Sequence, residues 1–150
     1  MNWKILTDSQ MPGYLAEEQM DLIARTGQGT GTVSQFDRFA PSVIARIRSA
    51  VSSGGGMVSA TANTVPPECE DIAYWLIIER MLIAIPGLTL TDDQKTVLKD
   101  SKDFLELVRK GEASITKPDD PEEIQVQTVV PEPSIRDPHR HFRHRDEDGI

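Results

Sequence analysis

The stretch that decides the fold is residues 66–87, which read PPECEDIAYWLIIERMLIAIPG. Pro67 suits the first position of a helix, where a backbone N–H has no intrahelical partner to lose. Three acidic residues follow and place negative charge at the positive end of the helix dipole. From residue 72 to residue 85 the helix is apolar nearly all round, and such a helix must be covered on most sides. We therefore predict that it is the central helix of the domain, or that it also faces neighbouring copies.

The same run is too short to cross a membrane. It covers about 14 residues and includes Glu79 and Arg80, whereas a membrane-spanning helix needs about 20 predominantly apolar residues. We expect a buried core helix and no membrane partner. The first residues also lack the apolar core of a signal peptide.

Three further helices are predicted around the central one, and each carries its own start and stop signals. Asp37 and Thr91 are suited to be N-caps, and glycines follow each predicted helix end. The segment 57–65 is compatible with either a loose loop or a short β-hairpin. The predicted helices span about Leu15–Arg25, Asp37–Ser52 and Thr91–Lys110.

Apolar residues spaced three or four positions apart define the inward faces of these helices. In the last helix the expected inward stripe is Val97, Leu98, Phe104, Leu105 and Val108. The residues that we expect in the core or in lateral contacts between copies are Phe39, Val43, Ile47, Ile72, Trp75, Leu76, Leu82, Phe104 and Leu105. The fold class is therefore mainly α, a small four-helix domain over residues 1–115.

Residues 116–150 differ in character and predict an extended arm. The arm opens with a Pro-rich acidic linker, and residues 124–130 then alternate as a β-strand does, with no partner strand in this chain that the sequence identifies. Prolines and a His- and Arg-rich end follow. We predict a docking arm that adds a strand to another subunit; a solvated terminus without a target is the alternative. The expected docking residues are Ile124, Val126, Thr128, Val130, Arg136, Arg140, Phe142, Arg143 and Arg145.

The charge distribution argues against a general nucleic-acid-binding protein. Residues 1–135 hold 12 Lys and Arg against 20 Asp and Glu, whereas residues 136–150 hold four of each. An acidic body repels phosphate, so DNA could slide past it without sticking. Residues 136–145 form a small basic patch, with a net charge of +3.

Candidate catalytic and metal-binding groups are few. Cys69 lies beside Glu68 and Glu70, which oppose thiolate formation, and we interpret it as a partly buried, inert cysteine. A single cysteine also excludes an intrachain disulfide. The tail sequence His139-x-His141-x-x-His144 could bind zinc or nickel, but the interleaved arginines oppose a dication. We expect no enzymatic activity, no cofactor and no specific metal site.

Several features of the body together resemble the head–tail connector family of tailed bacteriophages, which includes the Mu-type and HK97-type adaptors. A first short helix precedes a Gly-containing loop, and the second helix opens at Asp37 and carries Val43-Ile44-Ala45-x-Ile47. The third helix reads Pro67-x-x-x-Asp71-Ile72-Ala73-x-Trp75-Leu76. The last ends in Leu105-x-x-Val108-x-x-Gly111, before a strand-like Ser114-Ile115.

The resemblance implies a structural virion protein. Members of this family form a ring, commonly of twelve copies, below the portal protein, and the ring extends the DNA channel towards the tail. The implied partners are other copies of the chain, the portal protein and a downstream stopper or tail protein, with DNA passing through unbound. The implied location is the virion neck, after assembly in the host cytoplasm.

Two alternatives stay open at the level of sequence. One is a stopper or tail-completion protein of the same neck region. The other is a small regulatory protein that binds nucleic acid through its Arg-rich tail, which would make binding steeply dependent on salt.

Overall fold

The computed structural model describes residues 2–27 and 34–122, and these residues form a mainly helical domain. The predicted small helical domain is confirmed. Two very short strands and two 3-10 helices accompany the four α-helices. In chain order the elements are β1 (Lys4–Ile5), a 3-10 helix (Asp8–Gly13), α1 (Glu17–Gly27), α2 (Gln35–Ser53), β2 (Thr64–Val65), a 3-10 helix (Pro67–Cys69), α3 (Glu70–Ala84) and α4 (Asp92–Lys110).

Helix α3 lies at the centre of the domain, as its composition predicts. Helices α2, α3 and α4 pack pairwise against one another, so α3 is covered from two sides by long helices. Asp71 is exposed in its first turn, and Arg80, Ile83 and Ala84 are exposed towards its end, where Ile83 is 80% exposed. Among the helices of residues 2–27 and 34–122, none combines the length and apolar character needed to cross a bilayer. The buried residues of α3 are Ile72, Ala73, Tyr74, Trp75, Leu76, Ile77, Ile78 and Met81.

The start of α2 differs from the prediction. Ser34 is the N-cap, and its hydroxyl accepts a hydrogen bond from the backbone N–H of Asp37 at 3.1 Å. Asp37 was predicted to be the cap, but it lies inside the first turn, where its charge still suits the helix dipole. The predicted cap of α4 is confirmed, because Thr91 and Gln94 form a reciprocal capping box.

The inward stripe of α4 is narrower than predicted. Its buried residues are Leu98, Ser101, Leu105 and Val108, spaced alternately by three and four positions. Val97, expected to point inward, is 43% exposed, so that prediction is wrong. The stripe that fits between two packed helices follows a seam of this spacing, and Val97 lies at its edge, about 60° around the helix from the middle of the stripe.

The structure places the predicted core residues in or against one hydrophobic core. Those that are partly buried sit at its margin. The buried ones are Val43, Ile47, Ile72, Trp75, Leu76 and Leu105, and the partly buried ones are Phe39, Leu82 and Phe104.

The N-terminal segment completes the core, although its sequence has no periodic apolar pattern that predicts burial. Trp3, Leu6 and Met11 are buried there. The buried hydroxyl of Tyr74 on α3 accepts a hydrogen bond from the Thr7 N–H at 2.9 Å, which ties the segment to the central helix.

The undecided segment 57–65 neither is wholly a loop nor forms a hairpin with itself. It contains β2, which pairs antiparallel with β1, with Ile5 opposite Thr64. The strand-like Ser114-Ile115 forms no strand among the described residues, and Ile115 packs against the core.

The ends of α2 and α4 meet at a close backbone approach. A Cβ atom added at Gly54 would lie 2.2 Å from the carbonyl oxygen of Val108 and 3.0 Å from the nitrogen of Gly111. Real Cβ atoms do not come this near to backbone, so glycine is required at residue 54 for the two helices to touch.

This contact predicts the effect of one methyl group. We expect Gly54→Ala to lower the free energy of unfolding by about 1–3 kcal/mol, because α4 must move to make room. Gly13→Ala is the control, since nothing lies within 4 Å of its added Cβ, and we expect a change within about 0.5 kcal/mol. Urea unfolding followed by circular dichroism measures both, and equal values for the two variants would contradict the close approach.

Candidate interaction site at the root of the arm

Residues 116–122, which the sequence assigns to the arm, pack on the helical domain. The indole N–H of Trp3 donates to the Thr116 carbonyl oxygen at 3.0 Å, and the Thr116 N–H donates to Glu68 Oε1 at 3.1 Å. Pro118 is buried. The packed body therefore extends at least to Glu122, beyond the predicted boundary at residue 116.

The root of the arm runs antiparallel to the segment before β2. Pro121 forms an isolated bridge with Ser59. On either side of this bridge, the Ala60 N–H donates to the Asp120 carbonyl at 2.6 Å, and the Glu122 N–H donates to the Val58 carbonyl at 2.7 Å. Residues 120–122 therefore run antiparallel to residues 58–60, and Glu122 lies beside Val58.

The carboxylate of Asp120 is the main polar anchor of this root. The Ser59 hydroxyl donates to Oδ1 at 2.7 Å, and the Thr61 N–H donates to Oδ2 at 3.1 Å. The Thr61 hydroxyl also donates to Oδ2. These hydrogen bonds, first from Thr61 and then from Ser59, hold the pKa of Asp120 below its ordinary value, because they favour the charged form.

Arg48 of α2 holds the other side of the same loop. Its guanidinium donates to the carbonyl oxygens of Ser59 at 2.7 Å, Thr61 at 3.2 Å and Thr64 at 3.3 Å. It also stacks over the Trp3 ring, 5.6 Å from the ring centroid. A planar fork of donors suits this task, since several carbonyls can be satisfied from one rigid group. We call Trp3, Arg48, Ser59, Thr61 and Asp120 the terminal clasp.

Two depressions flank the clasp, and Ile5, which is 64% exposed, lines both. The larger, of about 380 Å³, is bordered by Asn2, Trp3, Ile5, Ser59, Thr61, Thr64 and Asp120. The smaller, of about 210 Å³, is mostly apolar and lies between β1 and α2; we call it the β1 groove. Its lining residues are Ile5, Leu6, Phe36, Asp37, Ala40, Pro41, Ile44 and Asn63.

The thiol of Cys69 is shielded from solvent in the structure. The residue is fully buried, and burial, with a further contribution from the negative charge of Glu68, raises the pKa of its thiol to about 12. Since the thiolate is the reactive form, Cys69 is a poor nucleophile at neutral pH.

No metal site is formed within the described ranges, where no group of three or more His, Cys, Asp and Glu side chains converges. The tail histidines His139, His141 and His144 lie outside these ranges. The same holds for the predicted docking residues Ile124, Val126, Thr128, Val130, Arg136, Arg140, Phe142, Arg143 and Arg145. What the structure adds is the point from which the arm leaves.

The sequence does not predict the terminal clasp. Its members are distributed from residue 3 to residue 120, and no spacing rule links them. Arg48 lies off the apolar face of α2, as Arg38 and Arg46 do, so the sequence does not single it out, and only the structure shows that it is partly buried. The loop that it binds is recognisable only once β2 has been paired with β1.

Comparison with known proteins adds no relative. No protein-family model, no curated protein and no solved structure matches the chain. Any function must therefore be argued from the residues and their geometry.

The Asp120 anchor predicts a pH-dependent stability. We expect Asp120→Asn to lower the urea midpoint at about pH 7, because an acceptor oxygen becomes an amide donor. Since the pKa of Asp120 is depressed by folding, its contribution is present above about pH 4 and is lost as the pH falls through the folded-state pKa. The difference between the two proteins should therefore shrink towards about pH 2.

Glu122→Gln is the control for this experiment, because the described hydrogen bond of Glu122 uses its backbone N–H. It should leave the midpoint nearly unchanged. If Asp120→Asn left the urea midpoint of the wild type unaltered at neutral pH, the carboxylate would have no anchoring role.

The Arg48 contacts predict a difference between two arginines of the same helix. We expect Arg48→Lys to cost about 1–3 kcal/mol of unfolding free energy, because one ammonium cannot reach three carbonyls and stack on Trp3. Arg46→Lys should cost less than about 0.5 kcal/mol, since Arg46 is exposed. Urea unfolding of both variants tests the clasp, and equal losses would contradict it.

Proposed function

We propose that this chain is a structural virion protein, a head–tail adaptor that forms a ring below the portal of a tailed phage. The observation that carries the proposal is the root of the arm: residues 116–122 are clamped to a small helical body by the terminal clasp. A purely solvated tail has no need of such a root. A docking arm needs such a root, because the root fixes the position of the arm on the body when the arm binds a partner.

The surface of the body supports a channel role. Residues 1–122 include 12 Lys and Arg and 18 Asp and Glu, so the packed body carries net negative charge. A ring of such bodies repels phosphate and lets DNA pass without binding. The proposed ring is commonly twelvefold in the family that the sequence resembles, and the proposed partners are the portal protein and a stopper or tail protein.

The arm supports assembly on a partner rather than in free solution. A segment that orders on docking loses its conformational entropy at that moment, which weakens association until a platform is present. The proposed chain is therefore largely monomeric when dilute in the host cytoplasm and forms a ring in the virion neck. This role involves no catalysis and no cofactor.

The test uses the full chain, a chain truncated after Glu122, and purified portal protein from the same viral genome. Truncation there keeps all described clasp contacts, whereas truncation after Ile115 would remove Thr116 and Asp120 as well. We expect negative-stain images to show rings on the portal with the full chain, and lost or weakened rings with the truncated chain.

Unfolding curves of the two chains serve as the control and should superimpose, since the body is intact in both. Absence of rings with either chain would contradict the adaptor proposal. Steeply salt-dependent DNA binding that disappears on removal of residues 136–150 would instead favour the regulatory alternative.

A further inference from the structure

Helix α4 carries a second apolar stripe beside its buried one. Val97, Phe104 and Leu107 recur along this stripe, and two aspartates, Asp93 and Asp100, occupy the positions between and before them. All spacings are three or four residues, which is the spacing of a seam that packs against another helix. We call these five residues the α4 flank.

The apolar side chains of the α4 flank are open to solvent. The described residues leave five large apolar side chains exposed, and two of them, Val97 at 43% and Leu107 at 41%, lie on this flank. Phe104 is partly buried and connects the flank to the core. A row of apolar side chains left open in this way is expected where a partner covers it.

The charge of the α4 flank opposes a symmetric pairing of the flank with itself. Asp93 and Asp100 are exposed, and neither takes part in an ion pair within residues 2–27 and 34–122. Two such flanks in contact would bring four carboxylates into one seam, and like charges brought together oppose association. The partner surface should therefore be basic and should leave room for Val97.

Helix α2 presents a surface of this kind. Its outer side holds Arg38, Ser42, Ala45 and Arg46, all exposed, and residues 38–53 contain no acidic residue. The guanidinium of Arg38 lies over the ring of the partly buried Phe39, 5.5 Å from its centroid. Neither arginine forms an ion pair in the described part of the chain. We call these five residues the α2 outer face.

The two surfaces match in the spacing of their charges. At a rise of 1.5 Å per residue, Arg38 and Arg46 lie about 12 Å apart along α2. By the same measure Asp93 and Asp100 lie about 10.5 Å apart along α4. Two ion pairs can therefore form at once between the helices, whichever relative direction the helices take.

The centres of the two surfaces also fit each other. Ser42 lies midway between the two arginines of α2, and Val97 lies between the two aspartates of α4. The side chains of Ser42 and Ala45 are small, so they leave room for Val97 when the charges meet. This packing gives the contact an apolar centre with ion pairs on both sides.

The same body cannot make this contact with itself. Helix α4 already packs against α2 within the chain. The α2 outer face stays exposed in that arrangement, so it lies on the side of α2 that the chain's own α4 does not cover. The α4 flank of another copy is free to reach it.

We propose that the α4 flank of one copy of this chain packs against the α2 outer face of a second copy, with Asp93 and Asp100 paired to Arg38 and Arg46. The contact is heterologous, because two different surfaces meet. Its repetition closes into a ring or continues as a filament, according to the rotation between copies.

This inference deepens the proposed function by naming the contact between neighbouring subunits, and it rests on that function only for assigning the contact to a ring. The experiment therefore contains no portal. A helix contact without portal rings would remove the adaptor proposal and leave the contact standing, and portal rings without the helix contact would do the reverse.

The test is cross-linking of the full-length double variant Ser42→Cys/Thr96→Cys with a short bismaleimide. Thr96 is exposed and adjoins Val97, and the native Cys69 is fully buried and should not react. We expect a ladder of dimers and larger species on a denaturing gel, with yield rising with protein concentration. Each single-cysteine variant alone should stay monomeric, because a heterologous contact needs one cysteine from each surface.

Reversal of the charges tests the pairing itself. Adding Asp93→Lys/Asp100→Lys should lower the initial cross-linking rate by about tenfold, because two attractions between exposed charges become repulsions. Adding Arg38→Glu/Arg46→Glu to that variant should restore the rate, since the same pairs then form with exchanged signs.

The matched control is Ser42→Cys/Ile83→Cys, because Ile83 is 80% exposed and lies on α3 outside both surfaces. Circular dichroism must show every variant folded. A ladder no stronger than that of the control would overturn the proposal, and so would a cross-link confined within single chains. Dimers from either single-cysteine variant at the rate of the double variant would assign the surface to a two-fold contact instead, and a rate that the second reversal does not restore would remove the charge pairing.

Discussion

The structure depends above all on the need to cover α3 on most of its sides. Ile77, Ile78 and Tyr74 are fully buried on one short helix, and each large apolar side chain removed from water contributes about 1.5–3 kcal/mol. Two helices can cover only part of such a cylinder. The remainder is closed by the N-terminal segment, whose Trp3, Leu6 and Met11 join the same core.

This requirement explains why the ends of the chain are bound to the body. Strands of two residues are not stable alone, so β1 and β2 need further contacts. Arg48 supplies them by binding the loop before β2 and the ring of Trp3 together. Asp120 then fastens the departing chain to that loop. The clasp thus joins two parts of the chain in one hydrogen-bonded unit: the N-terminal segment that covers α3, and the root of the arm.

The proposed role in an assembly requires a body that is folded before it meets a partner. Buried residues from the N-terminal segment and from helices α1 to α4 form one hydrophobic core. Among residues 2–27 and 34–122, β1 pairs with β2 alone, and its residue Ile5 is 64% exposed. The net negative charge of residues 1–122 opposes contact with nucleic-acid phosphates.

The amino-acid sequence by itself determined the helical class, the central position of α3, the cap at Thr91 and the inertness of Cys69, because these follow from local periodicity, capping chemistry and neighbouring charge. It misplaced the α2 cap, although the cap at Ser34 is a local contact with the backbone of Asp37. It also misplaced the side of Val97, which depends on where the neighbouring helices pack. Only the tertiary structure decided that residues 57–65 pair with the N-terminus and that Asp120 and Arg48 hold one loop. Contacts such as that of Trp3 with Thr116 join residues more than a hundred positions apart, and no local pattern encodes them, because they form only after α2, α3 and α4 have packed.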